Sequence, residues 1–247
     1  MTTKTKVALF TSAGGEGSIG LIKSVIENLD DMPNIDLVYV ALAEAYGGVG
    51  WKTDRYVADY IWQYLTRTGV KGIRFSHYGG GFLDSAMVGQ LHNAENLEKP
   101  DVGILAGYRH YASALLDYIP LLNIHPAKPY QSKGKWWDEC LTEVLEDGYS
   151  TAGVTLHYVT DKLDDGEPYA SCEFPVVMAA IPFKQQRDFL RKDIMRHEQR
   201  LLVDSLKTLD IKKIKEHTKN TQYSIGNSPA DKRRRAAKKR KEAKDAK

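Results

Sequence analysis

The chain has 247 residues, 42% of them hydrophobic, which suits one sizeable α/β core. Its net charge is +3, and its two cysteines, Cys140 and Cys172, are too few for a disulfide framework. The first residues, MTTKTKVALF, hold too short an apolar run for a secretory signal, and no segment approaches the about 18 apolar residues of a membrane helix. We therefore expect a cytoplasmic protein, and neither a disulfide-rich secreted domain nor a membrane protein.

The charge is concentrated at the C-terminal end. Residues 230–247, ADKRRRAAKKRKEAKDAK, carry ten basic and three acidic side chains, a net +7 that leaves −4 for the rest of the chain. We predict one domain over residues 1–220 and a basic, disordered tail over residues 221–247. Such a tail can contact nucleic acid, although a purely solubilising tail fits its composition better, and the acidic body argues against nucleic-acid binding as the main function.

In chain order, short apolar runs alternate with amphipathic segments. The predicted strands cover residues 6–13, 35–42, 72–76, 100–108, 121–125, 152–159 and 169–177. The predicted helices cover residues 18–29, 54–67, 84–98, 112–118 and 185–209. This alternation predicts an α/β fold with a mostly parallel, doubly wound sheet between two layers of helices, a three-layer Rossmann-like α/β/α arrangement. Ligands of such sheets bind at the carboxyl ends of the strands, so the residues that follow each strand are the candidate site residues.

The first strand is followed by TSAGGEGS, a glycine-rich turn that leads into a helix. Its backbone N–H groups and the helix dipole can hold a phosphate, with Gly15, Gly17 and Ser18 as the candidate contacts. The glycine spacing matches neither the dinucleotide-binding nor the P-loop fingerprint. A plain tight turn therefore fits this stretch equally well.

The run LLNIHP ends in two polar side chains on one face. Asn123 and His125 are two residues apart, so they point to the same side of a strand, and Pro126 ends the hydrogen-bond ladder behind them. An asparagine can donate to a developing oxyanion, and a histidine can act as acid, base or charged donor. The alternative is a pair that only satisfies loop backbone groups.

The acidic turn VTDKLDDG follows a later strand and supplies Asp161, Asp164 and Asp165. A carboxylate placed against His125 would raise the pKa of the imidazole and help to move protons. A solvated loop is the alternative. The turn lacks the spacing of a calcium-binding loop, so no metal site is predicted.

The ordered set LAGY, NIHP and VTDKLDDG resembles the folate-dependent formyltransferases, most closely those acting on glycinamide ribonucleotide (GAR) in purine synthesis. The resemblance covers roughly residues 6–206. It implies that Asn123, His125 and Asp164 form a catalytic trio that transfers a formyl group from 10-formyltetrahydrofolate, as cosubstrate, to an amine. It further implies that Asn123 and a protonated His125 stabilise the oxyanion, while Asp164 keeps His125 charged.

The resemblance also implies where the small-molecule substrates bind. The folate would lie against Tyr108, Arg109, His110, Tyr111, Val159, Thr160 and Asp161. The acceptor would place its phosphate on Gly15, Gly17 and Ser18 and its amino end at Glu198, which is otherwise a surface glutamate of the long helix.

The chain departs from the family pattern at several positions. Asp165 replaces the first glycine of the family's Gly pair, the phosphate turn lacks an asparagine after Ser18, and an acceptor-binding arginine is absent near Asp84. The segment after His125-Pro126 is also different; it contains Lys128, Lys133, Lys135, Trp136 and Trp137. This segment either forms a new wall of the site or is a repacked loop with tryptophan in the core, and the second interpretation is the simpler one.

Three functions remain open at this point. Transfer of a formyl group to GAR fits best, and transfer to another phosphate-bearing amine, such as an aminosugar nucleotide, is the alternative. A non-catalytic binding protein is weaker, because such a protein has no reason to keep Asn123, His125 and Asp164 together. No pattern indicates the oligomeric state.

Overall fold

The computed structural model describes residues 3–46, 53–78, 83–94, 96–110, 112–135, 137–177 and 181–225. These residues contain a seven-stranded sheet with the order β3-β2-β1-β4-β5-β6-β7. The first five strands in this order are parallel, and β6 and β7 are antiparallel to their neighbours. The strands are β1 Thr5–Thr11, β2 Ile35–Tyr46, β3 Gly72–Tyr78, β4 Val102–Leu105, β5 Leu121–His125, β6 Thr151–Tyr158 and β7 Pro168–Pro175.

The helices confirm most of the predicted elements. They are α1 Glu16–Glu27, α2 Arg55–Thr68, α3 Leu83–Asn93, α4 Ser113–Tyr118, α5 Trp137–Glu146, α6 Phe183–Lys207 and α7 Ile211–Ile225, with a short 3-10 turn at Leu29–Asp31. Sequence analysis missed α5 and α7. The signal for α5 was present, because its buried residues Cys140, Leu141, Val144 and Leu145 follow helical spacing.

The core lies on both faces of the sheet, as the doubly wound prediction requires. Ala8 and Phe10 of β1 pack with Met87 of α3 and Leu115 of α4 on one face. The alternate residues of β1 are buried too. Helix α1 packs against α2 and α6, and α6 lies along β5 to β7. Both faces are therefore covered, which explains why β1, β4 and β5 are almost wholly buried.

The chain divides after Leu209 into two units. In the second unit, Asp210 directly precedes α7, and its carboxylate accepts hydrogen bonds from the backbone N–H groups of Lys212 and Lys213 at 3.0 and 3.1 Å. The predicted boundary near residue 220 and the predicted basic tail stay predictions, since residues 226–247 lie outside the described part. No helix among the described residues is long and apolar enough to cross a membrane.

Backbone hydrogen bonds bring the strand ends together. The N–H of Ser12 donates to Gly107 O at 3.2 Å, and the N–H of Arg109 donates to Ser12 Oγ at 2.8 Å. Gly107 has φ of +68° and lies so close to Ser18 that a side chain would collide with it. The turn after β1 and the turn after β4 thus form one continuous wall.

The turn between β6 and β7 is held just as tightly. The N–H of Tyr158 donates to Glu167 O at 2.9 Å, which closes the loop that carries Asp164. Gly166 lies directly against the Tyr158 carbonyl, and a Cβ atom at residue 166 would overlap that oxygen.

We expect Gly166→Ala to destabilise the fold by about 1–3 kcal/mol, because the backbone must move to relieve the overlap. Thermal unfolding followed by circular dichroism measures the effect. Gly89→Ala is the control, since Gly89 is exposed on α3 with open space around it, and alanine there should be neutral or stabilising. Equal unfolding temperatures for Gly166→Ala and the wild type would contradict the close contact.

Candidate active site

The sheet register places the predicted polar residues at one edge. Asn123 and His125 occupy alternate positions at the carboxyl end of β5, and Asn123 lies opposite His157 of the antiparallel strand β6. Asp164 comes from the turn that follows β6. The turn folds back over β5, so residues about forty positions apart in sequence become neighbours.

Asp164 is the centre of this cluster. Its Oδ1 accepts a hydrogen bond from Asn123 Nδ2 at 3.1 Å and lies 3.7 Å from His125 Nδ1. Its Oδ2 accepts a hydrogen bond from the Gly134 N–H at 3.1 Å. The structure therefore brings together the three residues of the predicted trio, and it adds Gly134 as a backbone donor.

His157 is a further member that sequence analysis did not single out. Its Nε2 lies 3.1 Å from Asn123 Nδ2 and 3.5 Å from Asp164 Oδ1, and its Nδ1 is 2.9 Å from the Tyr158 carbonyl. A carbonyl can only accept, so Nδ1 donates and Nε2 of the neutral ring accepts from Asn123. The signal was the alternation in VTLHYV, which puts His157 on the side of β6 that faces Asn123.

Burial sets the protonation of the trio. Desolvation lowers the pKa of His125, and this effect outweighs the nearby charge of Asp164, which raises it. The expectation that Asp164 keeps His125 charged is therefore wrong for the free protein. The pKa of Asp164 is lowered: burial opposes ionisation, but the nearby His157 and His125 and the hydrogen bond from the Gly134 N–H together favour the carboxylate.

The two ring nitrogens of His125 differ in their hydrogen bonding among the described residues. Backbone hydrogen bonds from the ring to Gln131 and Ser132 raise its pKa slightly, and Nδ1 also lies on the side of Asp164. His125 Nε2 is buried and has no hydrogen-bond partner among the described residues. This nitrogen belongs to a residue that lines the cavity, where a substrate atom can reach it.

Asp165, the extra acid of the turn, does not disturb Asp164. Its carboxylate forms an ion pair with Lys133 and lies 3.8 Å from Lys162 Nζ. The hydrogen bond from Lys133 lowers the pKa of Asp165, which favours its ionised form, and Asp165 is not among the residues that line the cavity of the trio. Asp164 itself has φ of +51°, a left-handed conformation that this turn imposes.

One cavity of about 260 Å³ joins the trio to the glycine-rich turn. It is lined by every predicted site residue in the described part of the chain: Gly15, Gly17, Ser18, Tyr108, Arg109, His110, Asn123, His125, Val159, Thr160, Asp161, Asp164 and Glu198. The predicted contact Tyr111 lies outside the described residues, as do Trp136 and the side chain of Asp84. Within the described part, no group of three acidic, histidine or cysteine side chains is arranged to hold a metal ion.

The segment after β5 contributes to the wall of this cavity. Lys135 and Trp137 line it, which favours the interpretation of a new wall over a buried loop for these two residues. Lys128 instead pairs with Glu173 at 2.9 Å and bonds Thr151, so it anchors the segment to β6 and β7.

Glu198 of α6 is a buried acid in the same cavity. It is only 3% exposed, and burial raises its pKa to about 8 although Trp137 donates a hydrogen bond that lowers it. Glu198 is therefore largely protonated at neutral pH. It can accept a hydrogen bond from an amine, and it can ionise when a substrate supplies a compensating charge.

The raised pKa of Glu198 predicts a pH-dependent stability difference. The folded chain holds a proton that the unfolded chain loses near pH 4, so this residue lowers the free energy of unfolding as pH rises towards 8. We expect Glu198→Gln to be more stable than the wild type by on the order of 2 kcal/mol at pH 8, and by much less at pH 4. Urea unfolding at both pH values measures the difference.

Glu146→Gln is the control, because Glu146 is an exposed glutamate on α5. It should leave the pH dependence of stability unchanged. A stability gain of Glu198→Gln that is equal at the two pH values would show that Glu198 is not a buried, protonated acid.

The fold is shared with known enzymes. A glycinamide ribonucleotide transformylase from Geobacillus kaustophilus superposes with a TM-score of 0.62 at 22% identity, over 83% of this chain and 98% of that chain. The corresponding enzyme from Symbiobacterium toebii gives 0.61 at 19% identity, over 83% and 86% of the two chains. A sugar N-formyltransferase from a Shewanella species gives 0.53 at 16% identity, over 82% and 68%.

Sequence comparison gives a more specific result. A phosphoribosylglycinamide formyltransferase from Saccharomyces cerevisiae is 37% identical over 81 residues, an alignment that covers 29% of this chain and 36% of the yeast protein. The match thus spans little more than a third of that relative. The model of the formyl transferase family matches residues 80–206, more than half of the chain and the whole stretch that holds Asn123, His125 and Asp164. The chain belongs to the formyl transferase family.

Proposed function

We propose that this protein transfers the formyl group of 10-formyltetrahydrofolate to the amine of glycinamide ribonucleotide. The observation that carries the proposal is the meeting of Asn123, His125 and Asp164 in the cavity that also reaches the glycine-rich turn. The yeast relative carries this activity in its name, and its aligned segment supports the choice of acceptor. The two free cysteines fit a reducing compartment, so we place the activity in the cytoplasm.

The proposed reaction begins with a neutral amine and a neutral His125. The amine nitrogen attacks the formyl carbon, forming a C–N bond, and the carbonyl electrons move to the oxygen. His125 Nε2, which has no hydrogen-bond partner among the described residues, takes the proton of the attacking amine. The imidazolium formed is stabilised by Asp164, whose Oδ1 lies 3.7 Å from the other ring nitrogen. Collapse of the intermediate breaks the bond to N10 of the folate, and His125 returns the proton to that nitrogen.

Asn123 supplies the donor for the oxyanion. In the free protein its Nδ2 donates to Asp164 and to His157. One of these bonds is exchanged for the substrate oxygen, and the other keeps the amide oriented. A preorganised donor of this kind acts at the position where negative charge develops in the transition state.

Removal of the trio tests the mechanism directly. We expect His125→Ala and Asp164→Asn to lower kcat by on the order of 10²–10⁴, because both remove proton transfer and charge stabilisation in the transition state. Release of tetrahydrofolate is followed by absorbance, and the formylated product by mass spectrometry. Asp188→Asn, on the exposed side of α6, is the control and should keep full activity. Undiminished turnover of His125→Ala would refute the mechanism.

An acceptor panel tests the substrate. With wild-type protein and 10-formyltetrahydrofolate, we expect product with GAR and little or none with an aminosugar nucleotide or with water. Preference for the aminosugar nucleotide would show that the acceptor is an aminosugar nucleotide and not GAR. Absence of product with every acceptor, despite measurable folate binding, would support a binding protein instead.

His157 is a positioning residue in this scheme, because it acts through Asn123 and Asp164. Loss of its hydrogen bonds in His157→Ala should lower kcat about tenfold with little change in the KM for folate. His157→Gln keeps an acceptor near Nδ2 of Asn123 and should recover part of the loss. Equal kcat values for the alanine and glutamine variants would show that the hydrogen bond to Asn123 has no role.

A further inference from the structure

We propose that Trp137 is a positioning residue of the acceptor site: its indole N–H holds the carboxyl group of Glu198 in place, while Arg191 holds the face of the indole ring. This proposal rests on the function proposed above and on the contact between Glu198 and the acceptor's amino end that the family resemblance implies. Sequence analysis left Trp137 as either a wall of the site or a core residue. The three residues line the same cavity.

Helix α6 places Arg191 and Glu198 on one face. They are seven residues apart, which is about two turns and roughly 10 Å along the helix axis, and Met195 lies between them at helical spacing. All three line the cavity, whereas Phe189 and Arg196 of the same helix are exposed. A side chain that packs along this face can therefore contact both an arginine and an acid.

Trp137 is fixed at the start of α5 by its neighbours. Lys135 Nζ pairs with the carboxylate of Glu143 at 2.9 Å, and Ser132 Oγ donates to the same carboxylate at 2.6 Å. The loop that precedes Trp137 is thus tied to the second turn of α5. Cys140, one turn into the helix, is fully buried, and α5 packs against α6. The indole therefore enters the cavity from a well-defined position.

The indole contacts both ends of this face of α6. The guanidinium carbon of Arg191 lies 5.3 Å from the ring centre of Trp137, a distance typical of a cation–π contact. Arg191 Nε is buried and has no hydrogen-bond partner among the described residues, so this nitrogen makes no bond that would draw the guanidinium off the ring. The indole N–H donates a hydrogen bond to the side chain of Glu198. Two contacts, one on the ring face and one at the N–H, fix the orientation of the indole.

The hydrogen bond matters because Glu198 is a buried acid. Burial raises the pKa of Glu198 to about 8, and the hydrogen bond from Trp137 opposes this effect by favouring the carboxylate. A carboxyl group has two oxygens, so one can accept from Trp137 while the other stays available to the acceptor.

Other ionisable side chains reach the cavity from the segments around α6. They are Arg109 after β4, Asp138 of α5, His125 of β5, His157 of β6 and Asp164 after β6. Helix α1 and strand β7, which also pack against α6, contribute no ionisable lining residue in the described part of the chain. The effect that lowers the pKa of Glu198 is nonetheless the hydrogen bond from Trp137.

The indole N–H reports this contact directly. In 15N-labelled wild-type protein, the Trp137 indole resonance, assigned by its absence in Trp137→Phe, should move with pH around a midpoint near 8, because the N–H then donates to a charged acceptor. This titration should be lost in Glu198→Gln. An indole resonance that does not respond to the ionisation of Glu198 would overturn the proposal.

Hydrogen exchange tests the part of Arg191. We expect the indole N–H of Trp137 to exchange with solvent about three- to tenfold faster in Arg191→Met, because the cation–π contact that holds the ring is lost. Arg196→Met is the matched control, since Arg196 is an exposed arginine of α6 that pairs with Asp193. Equal exchange rates in Arg191→Met and the wild type would show that Arg191 does not hold the indole.

Phenylalanine separates the hydrogen bond from the packing. Trp137→Phe keeps an aromatic ring for Arg191 but removes the donor that favours the carboxylate, so the midpoint of the Glu198 titration should rise by about one pH unit. NMR of 13C-labelled glutamate carboxyl groups measures it, with Glu198→Gln for assignment. Trp62→Phe is the matched control, because Trp62 of α2 also contacts an arginine, Arg74 at 5.6 Å, but does not line the cavity.

The kinetic consequence should be confined to the acceptor. With GAR and 10-formyltetrahydrofolate, we expect Trp137→Phe to raise the KM for GAR about five- to tenfold, to change kcat by less than about twofold and to leave the KM for the folate unchanged. Trp62→Phe should behave as wild type. A packing role alone would lower the unfolding temperature without this selective change in KM.

The outcomes separate this proposal from the proposed function. An unchanged Glu198 titration or an unchanged KM for GAR in folded Trp137→Phe would overturn the positioning role and leave formyl transfer to GAR intact. If the wild type formylates an aminosugar nucleotide and not GAR, GAR is refuted, and the same KM comparison with that acceptor decides the role of Trp137. If Trp137→Phe does not fold, the titration of the indole N–H in the wild type decides it.

Discussion

The site depends on how the buried carboxylate of Asp164 is stabilised. An ionised carboxylate that is only 15% exposed is costly unless its oxygens are satisfied, and here they accept from Asn123 and from the Gly134 N–H. These donors come from different segments of the chain, namely the end of β5 and the loop that follows it. The turn that carries Asp164 must close in one way to meet both, and the contact of Gly166 with the Tyr158 carbonyl fixes that closure.

The same desolvation acts on four titratable groups that line the cavity, namely His125, Arg109, Glu198 and Asp164. It lowers the pKa of His125 and of Arg109 and raises that of Glu198, so each group is shifted towards its neutral form. Asp164 is the exception, because it alone has enough donors to remain a carboxylate. A neutral His125 with the ionised Asp164 beside it suits proton removal from an amine. The imidazolium that forms is attracted by Asp164, and this attraction arises only during the reaction.

The chain pattern was sufficient for the fold and for placing Asn123 and His125 on one face, the resemblance to the formyltransferases added Asp164, and neither predicted the side chains around these residues. The alternation of side chains along β5 puts Asn123 and His125 on one face, at the carboxyl edge of the sheet. The position of His157 beside Asn123 follows from the antiparallel pairing of β5 with β6, which strand periodicity does not reveal. The direction in which the pKa of His125 shifts also required the structure. Burial lowers this pKa and the charge of Asp164 raises it, and only the coordinates show which effect is larger.

Helix α5 is a second example of what the sequence pattern did not predict. Its apolar residues follow helical spacing, yet the preceding lysines and glycines suggested a loop, and the position of Trp137 could not be read from spacing alone. In the fold, Trp137 stands between α6 and the cavity and contacts Arg191. Arg109 was predicted on the folate side by its place after LAGY; its guanidinium lies close to Gly14, and it lines the cavity. Sequence periodicity does not report side-chain direction, so neither position could be read from spacing.

The departures from the family pattern fall into two groups with different consequences. Asp165 and Lys133 come from separate segments, and they pair next to the Gly134 N–H that binds Asp164. Each would be an unbalanced charge without the other, so together they preserve the geometry of the trio. The departures near the glycine-rich turn lie on another part of the same cavity, which Gly15, Gly17 and Ser18 line. The pairing of Asp165 with Lys133 therefore keeps the surroundings of Asp164 intact, although the sequence of the turn has changed.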